Sequence, residues 1–279
     1  MTDYPFNWNK PIKADTIANF CVYTEQNAEH VMRALWGYVN RPQFRWKDAD
    51  EIYIGSGHYE HGGSTRQRVV WWNSELTYKF GPAGSNGSSV ALGNNEWHYL
   101  YIDDSAVNSL ASNELTAAEF VSNTTAPAWD ADNFGWYTGN DRCIGAFRTG
   151  ATANIIEFYH DGGDFVQYAD LILNYDAGKP SDTWTDVTLT IPGFCTRACI
   201  SMFCDAASQA PIMQVRTNGQ TGAVGHKGWI VAVGGHYGGT VVRNIMTDSS
   251  QIIEVRWATA SADNTISVET DGWYFPKGM

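Results

Sequence analysis

Charge is scarce in this chain. Only 17% of its 279 residues are Asp, Glu, Lys or Arg, and 30 acidic residues outnumber 18 basic ones, for a formal net charge of -12. A surface of that sign repels a phosphate backbone, so nucleic acid is excluded as a partner. The chain also lacks a run of the roughly 20 apolar residues that cross a bilayer, and no membrane insertion is expected. Its opening residues, Met1-Thr2-Asp3-Tyr4-Pro5, lack the basic and then apolar order of a signal peptide, so synthesis in a cytoplasm is expected. The five cysteines, Cys21, Cys143, Cys195, Cys199 and Cys204, are odd in number and follow no disulfide framework. They read as reduced thiols, and Cys195, Cys199 and Cys204 as buried small hydrophobes rather than a zinc site, since no nearby His completes the set.

Aromatics, in contrast, are plentiful. They make up 14% of the chain, with 12 Trp, and hydrophobic residues reach 43%, which is the composition of a folded globular protein. Aromatic side chains in that number either fill a β-core or leave stacking surface for a partner. After Arg41-Pro42 the pattern is that of strands. Val187, Leu189 and Ile191 alternate with Asp186, Thr188 and Thr190, giving one dry and one wet face. Further strands are expected at 51–54, 66–72, 76–80, 96–103, 143–147, 154–159, 199–204, 212–216, 229–233, 241–245, 252–257 and 265–268. Turns recur every 8 to 12 residues between them. The fold class expected is all-β, an antiparallel, jelly-roll-like β-sandwich over 46–279. Residues 1–45 read as an N-terminal arm followed by one helix over 25–36, where Ala28, Val31, Met32 and Leu35 keep helical spacing. Residues 106–136 read as a long connector with one short helix near 116–120, and 81–89 as an exposed loop.

The segment 135–168 joins several of these strands through Thr138-Gly139-Asn140-Asp141 and Asp161-Gly162-Gly163-Asp164. With its surroundings it presents an ordered set: Trp97-His98 opening a strand, a Pro-containing connector ending in Gly135-Trp136-Tyr137, the Arg142-x-Ile144-Gly145-x-Phe147 strand, an Ile155-x-x-Phe158 strand running into Gly163-Asp164-Phe165, and a closing Gly272-Trp273-Tyr274-Phe275-Pro276. This order resembles a domain of tailed-phage virion proteins, especially tail fibres and head spikes. It covers about half of the chain, from Trp97 onward, and it departs from many relatives where Cys143 stands in place of a second basic residue. The resemblance implies a structural or adhesive role on the virion surface, a homo-oligomer that is a trimer, contact with other virion proteins of capsid or tail, and no catalytic residues.

Three local patterns carry possible chemistry. His58-Tyr59-Glu60-His61 is rich in metal-capable side chains, but on a strand His61 faces away from His58 and Glu60, so a polar hairpin tip is expected and no metal. Asp103-Asp104 and Asp161-Gly162-Gly163-Asp164 hold carboxylates that suit either strand-end turns or, with Asp103, Asp161 or Asp164 as acid and base, a glycan-degrading enzyme. The glycines at 219, 222, 225 and 228 and the run 234–239 read as two flexible loops, without the order of a phosphate-binding loop.

The expected function is therefore non-enzymatic: a phage virion protein, a fibre, spike or decoration, contacting host-surface glycan by ring stacking summed over copies. A glycan-degrading enzyme, a capsid cement protein and a free-standing sugar-binding module are the alternatives. Trp71, Trp72, Trp136, Tyr137, His236 and Tyr237 are the candidate binding residues, chosen for aromatic type and nearness to loops; no cofactor is expected.

Overall fold

The strand Trp97–Ile102 (WHYLYI) is buried along nearly its whole length, as is its neighbour Asp141–Arg148 (DRCIGAFR). A strand covered on both faces needs apolar or aromatic side chains at consecutive positions, and both segments carry them. They pair antiparallel, Trp97 opposite Arg148 and Ile102 opposite Arg142, with a register shift between Cys143 and Gly145. Phe120–Asn123 flanks the pair on one side, and Gly135–Thr138 followed by Ala128–Asp130 on the other.

In the computed structural model, which describes residues 39–65, 68–178, 183–206, 213–222, 226–228, 231–233, 236–257 and 265–279, this five-stranded sheet is a middle layer. On one face Phe147 meets Phe44 at 5.3 Å and Phe80 at 5.7 Å, and Phe120 meets Trp72 at 5.1 Å between ring centroids. Phe44 and Trp72 belong to two three-stranded sheets, one of Phe44–Trp46, Glu51–Ile54 and Leu76–Lys79, which Phe80 directly follows, the other of Val39–Asn40, Gly57–His61 and Arg68–Trp72. On the opposite face Trp97 meets Trp273 at 5.3 Å and Tyr99 meets Phe194 at 5.7 Å. Trp273 lies in a six-stranded antiparallel sheet ordered Phe158–His160, Phe165–Gly178, Thr265–Tyr274, Arg197–Ala206, His236–Met246, Val231–Val233. Thr185–Thr188, Ile252–Trp257, Met213–Thr217 and His226–Gly228 form the last, four-stranded sheet. Its Val187, Val215, Ile253 and Val255 share one continuous buried cluster with Ile200, Met202 and Val268 of the six-stranded sheet.

The fold is thus all-β, antiparallel and sandwich-like. The expected alternation holds: Val187, Leu189 and Ile191 are buried, whereas Asp186 and Thr188 are exposed. Cys143, Cys195 and Cys199 are buried free thiols. Residues 1–38, and with them the helix over 25–36, lie outside the described residues, whereas the end of the segment read as the N-terminal unit joins the sandwich, as the strand Val39–Asn40 and the buried Phe44.

Several expectations are corrected. Residues 106–136 are no simple connector: a short helix Asp104–Asn108, a 3-10 turn Ala117–Glu119 and three strands occupy the region. The turn forms because Thr116 and Glu119 satisfy each other's backbone in a capping box. The tract 81–89 is only partly exposed, since Asn86 turns inward to donate to Asp103 Oδ2 at 3.2 Å and to Ala118 O at 2.9 Å. His58-Tyr59-Glu60-His61 is not a polar tip. It is the strand Gly57–His61, with Tyr59, Glu60 and His61 all fully buried. Gly228 and residues 236–239 belong to strands rather than flexible loops.

One buried cation ties the layers together. Arg142 is fully buried, donating to Glu60 O and, at 3.1 Å, to Gly278 O. The rings of Tyr59 and Tyr137 lie 5.4 and 5.6 Å from its guanidinium carbon. Carbonyl acceptors and ring faces replace the water that such a charge loses on burial.

Candidate functional site

Two edge strands face each other across a groove. Phe44–Trp46 is the edge of one three-stranded sheet and Phe158–His160 the edge of the six-stranded sheet. Alternation sends Phe44, Phe158 and His160 inward and leaves Arg45 and Tyr159 outward. Side chains, rather than a backbone ladder, hold the two edges at a fixed distance. His160 Nδ1 accepts the Phe44 N–H at 3.0 Å, its Nε2 lies 3.0 Å from Gly163 O, and its ring stacks on Phe44 at 5.5 Å. Gln43 Nε2 donates to His160 O at 3.0 Å, and the Trp46 indole donates to Ile155 O at 3.1 Å.

The result is a groove of about 490 Å³, lined by Gln43, Arg45, Trp46, Glu157, Tyr159 and Asp161, among others. Tyr159 is 58% exposed, the most exposed aromatic side chain among the described residues. Its hydroxyl sits 3.5 Å from Glu157 Oε1. Arg45 is held by Glu75 and lies 4.7 Å over the Tyr53 ring. Gln167 donates to Asp271 Oδ1 at 3.0 Å. The floor turns sharply at Asp161, whose Oδ1 accepts the Gly163 N–H at 2.8 Å, with Gly162 at φ +91°. Chemically the groove offers one free aromatic face, two carboxylates, amides and a guanidinium, the mixture that recognises a ring bearing hydroxyl groups.

Two of the candidate residues are misplaced as binders. Trp72 is 1% exposed, stacked on Tyr59 at 6.0 Å and edge-on to Phe120, and Tyr137 is 5% exposed, its hydroxyl taking the Gly62 N–H at 3.0 Å. Both are core residues because a second sheet covers the face they project from. Trp71 is half-buried, and its backbone is bonded to Asn113 and Leu115. Trp136 is half-buried between Trp129 at 5.8 Å and Phe194 at 5.4 Å, with its indole N–H on Lys277 O at 3.0 Å. His236 and Tyr237 start the strand His236–Met246, and their side chains lie outside the described residues. Of Trp71, Trp72, Trp136 and Tyr137, none lines the groove. The residues that do, above all Tyr159 and Glu157, carried one signal in the sequence: Tyr159 sits between Phe158 and His160 in a strand that ends at a Gly-Gly turn, where alternation makes it the outward member.

The carboxylates considered as an acid and base line three different places. Asp103 caps the helix Asp104–Asn108, with its side chain accepting from Ser105 N and Ala106 N; Asp161 lines the groove; Asp164 lines a different cavity. Near the cap, buried His61 approaches Asp104 Oδ1 at 3.1 Å, and burial pulls its pKa down to about 4. Among the described residues no group of three or more His, Cys, Asp or Glu is arranged to hold a metal ion.

Comparison with known proteins adds little to this picture. No family model matches the chain, and no curated protein matches it. Among solved structures, the insecticidal crystal protein Cry7Ca1 of Bacillus thuringiensis is matched at 10% identity over 86% of this chain and 52% of that one, with a TM-score of 0.19. The chain therefore spans about half the length of that structure, and a similarity this low supports neither a shared fold nor a shared role.

Proposed function

We propose that this protein is a non-enzymatic structural protein of a tailed-phage virion, displayed on the particle as a fibre, spike or decoration, and that it attaches to host-surface glycan through the groove between its two edge strands. The observation that carries the binding half of this reading is the exposed Tyr159 ring, flanked by Glu157 and backed by Arg45, Gln43 and Gln167 on rigid strands. Aromatic stacking plus a few hydrogen bonds is weak for one copy and becomes useful when repeated over a homotrimer. The virion half rests on the ordered resemblance that begins at Trp97-His98.

A glycan array probed with the purified protein, together with its molar mass by light scattering, tests the reading. Retention on a defined set of host-surface glycans, lost in Tyr159→Ala, is the expected result, with a trimeric mass. Shortened glycan products after incubation, or a monomer that ignores every glycan and binds phage capsids instead, would overturn it.

A further inference from the structure

A second cavity lies beside the groove. Its volume is about 280 Å³, and it is lined by Asp164, Thr196, Arg197, Met246, Tyr274 and Lys277, among others. The partition between the two spaces is an aromatic pair: Phe165, which lines the groove, packs on Tyr274, which lines the cavity, at 4.8 Å between centroids.

Two features set this cavity apart on a chain of net charge -12. The first is that its two cations are free to act on a ligand. Arg197 and Lys277 are exposed, and neither forms an ion pair among the described residues. Most other described basic side chains are engaged elsewhere: Arg45 with Glu75, Lys47 with Glu51, Lys79 with Asp50, Arg216 with Glu254, and Arg142 with backbone carbonyls. The second is that Arg197 is already oriented. Its guanidinium lies 4.0 Å over the Tyr274 ring, and Tyr274 is anchored in turn by its hydroxyl on Asn244 Oδ1 at 2.9 Å. Stacking engages the face of the guanidinium and leaves the N–H donors of its rim available to a carboxylate or sulfate. Asp164 is the one carboxylate in the lining, so cations outnumber it two to one.

We infer that this cavity is an anion subsite, and that the glycan held in the groove is an acidic one whose carboxylate or sulfate group sits between Arg197 and Lys277. The inference rests on the glycan-binding reading above and deepens it: the uncharged part of the ligand lies over Tyr159, and its acidic group crosses the Phe165–Tyr274 partition. On a protein of this net charge, long-range attraction of a polyanion is absent, so selectivity for acid must come from these two side chains at short range.

The test compares a neutral polymer with its sulfated form on the same backbone, and with a carboxylated polymer on another. Binding of dextran sulfate, polygalacturonate and neutral dextran is measured at 0.15 M salt for the full chain, for Arg197→Gln/Lys277→Gln, for Tyr159→Ala and for the charge control Lys79→Gln. The expected result is binding of one or both acidic polymers at least tenfold tighter than dextran. That preference falls at least tenfold in the double variant and persists in Lys79→Gln, whereas Tyr159→Ala weakens all binding. Preference for sulfate over carboxylate, or the reverse, identifies which acid the subsite takes. Equal binding of dextran and the acidic polymers, or an unchanged preference in the double variant, would overturn the subsite and leave the glycan reading standing. Failure of every polymer to bind would overturn both.

Discussion

His160 Nδ1 accepts the backbone N–H of Phe44 at 3.0 Å, joining the edges of two sheets through residues 116 positions apart. That bond requires an unprotonated nitrogen. Burial, with Arg41 adding to it, holds the His160 pKa below its usual value. His61 is pulled down to about 4 by burial, and His98 is lowered for the same reason. All three therefore take up protons more readily unfolded than folded. The stability associated with their neutral forms is fully present above about pH 6.5 and is lost as pH falls from there toward the folded values. Asp141, raised by burial, acts in the opposite sense from about pH 4 upward, so this one group offsets part of what the three histidines contribute. The midpoint of thermal unfolding should drop by several degrees between pH 7 and pH 5. In His160→Phe the midpoint should be lower at pH 7, with a shallower pH slope. A slope equal to that of the unmodified protein would disprove the role of His160.

Tyr159 and Trp72 are both strand aromatics and should behave in opposite ways. Tyr159→Ala touches an exposed ring, so its effect on stability should stay within about 0.5 kcal/mol while glycan retention is lost. Trp72→Ala empties a site between Tyr59 and Phe120 and should cost about 3 to 5 kcal/mol in denaturant unfolding. Gly57→Ala reports on the same site from the other side, because a Cβ there would stand 2.6 Å from Trp72 Cζ2.

Arg142→Ala should destabilise by about 2 to 5 kcal/mol, since it strips the donors from the buried Glu60 carbonyl and the half-buried Gly278 carbonyl at once. Arg142→Lys should recover little of that loss. A single ammonium lacks the planar fork that bonds Glu60 O and Gly278 O while lying against the rings of Tyr59 and Tyr137. Chemical denaturation of both variants separates the two outcomes.

Burial pushes the thiols of Cys143 and Cys195 well up and that of Cys199 to about 12, so none supplies thiolate at neutral pH. Iodoacetamide applied to the native protein, followed by peptide mass spectrometry, should leave Cys143 and Cys195 unlabelled. Both should label fully after denaturation. Rapid native labelling of either would contradict their burial.

Strand existence was legible in the chain because it is a local property. A period of two needs only consecutive residues, and the expected strands 51–54 and 252–257 match Glu51–Ile54 and Ile252–Trp257 at both ends. The dry and wet faces around Val187 and Leu189 followed from the same rule, and burial of Cys195 and Cys199 followed from their lack of metal or disulfide partners. Which face of a strand is covered is not local. Glu60 and His61 look polar in sequence and are core residues, in a strand where Arg142 takes the Glu60 backbone carbonyl and Asp104 meets the His61 ring, both from distant parts of the chain. Trp72 looks like a binder and is walled in, while Tyr159, no different in type, stays open because its strand lies at a sheet edge. The groove itself exists only where the edges at 44–46 and 158–160 meet without pairing, and the Arg197 cavity only where Tyr274 returns beside it. Such sites are set by how the sheets stack and which edges are left over, and no spacing within a single strand records either.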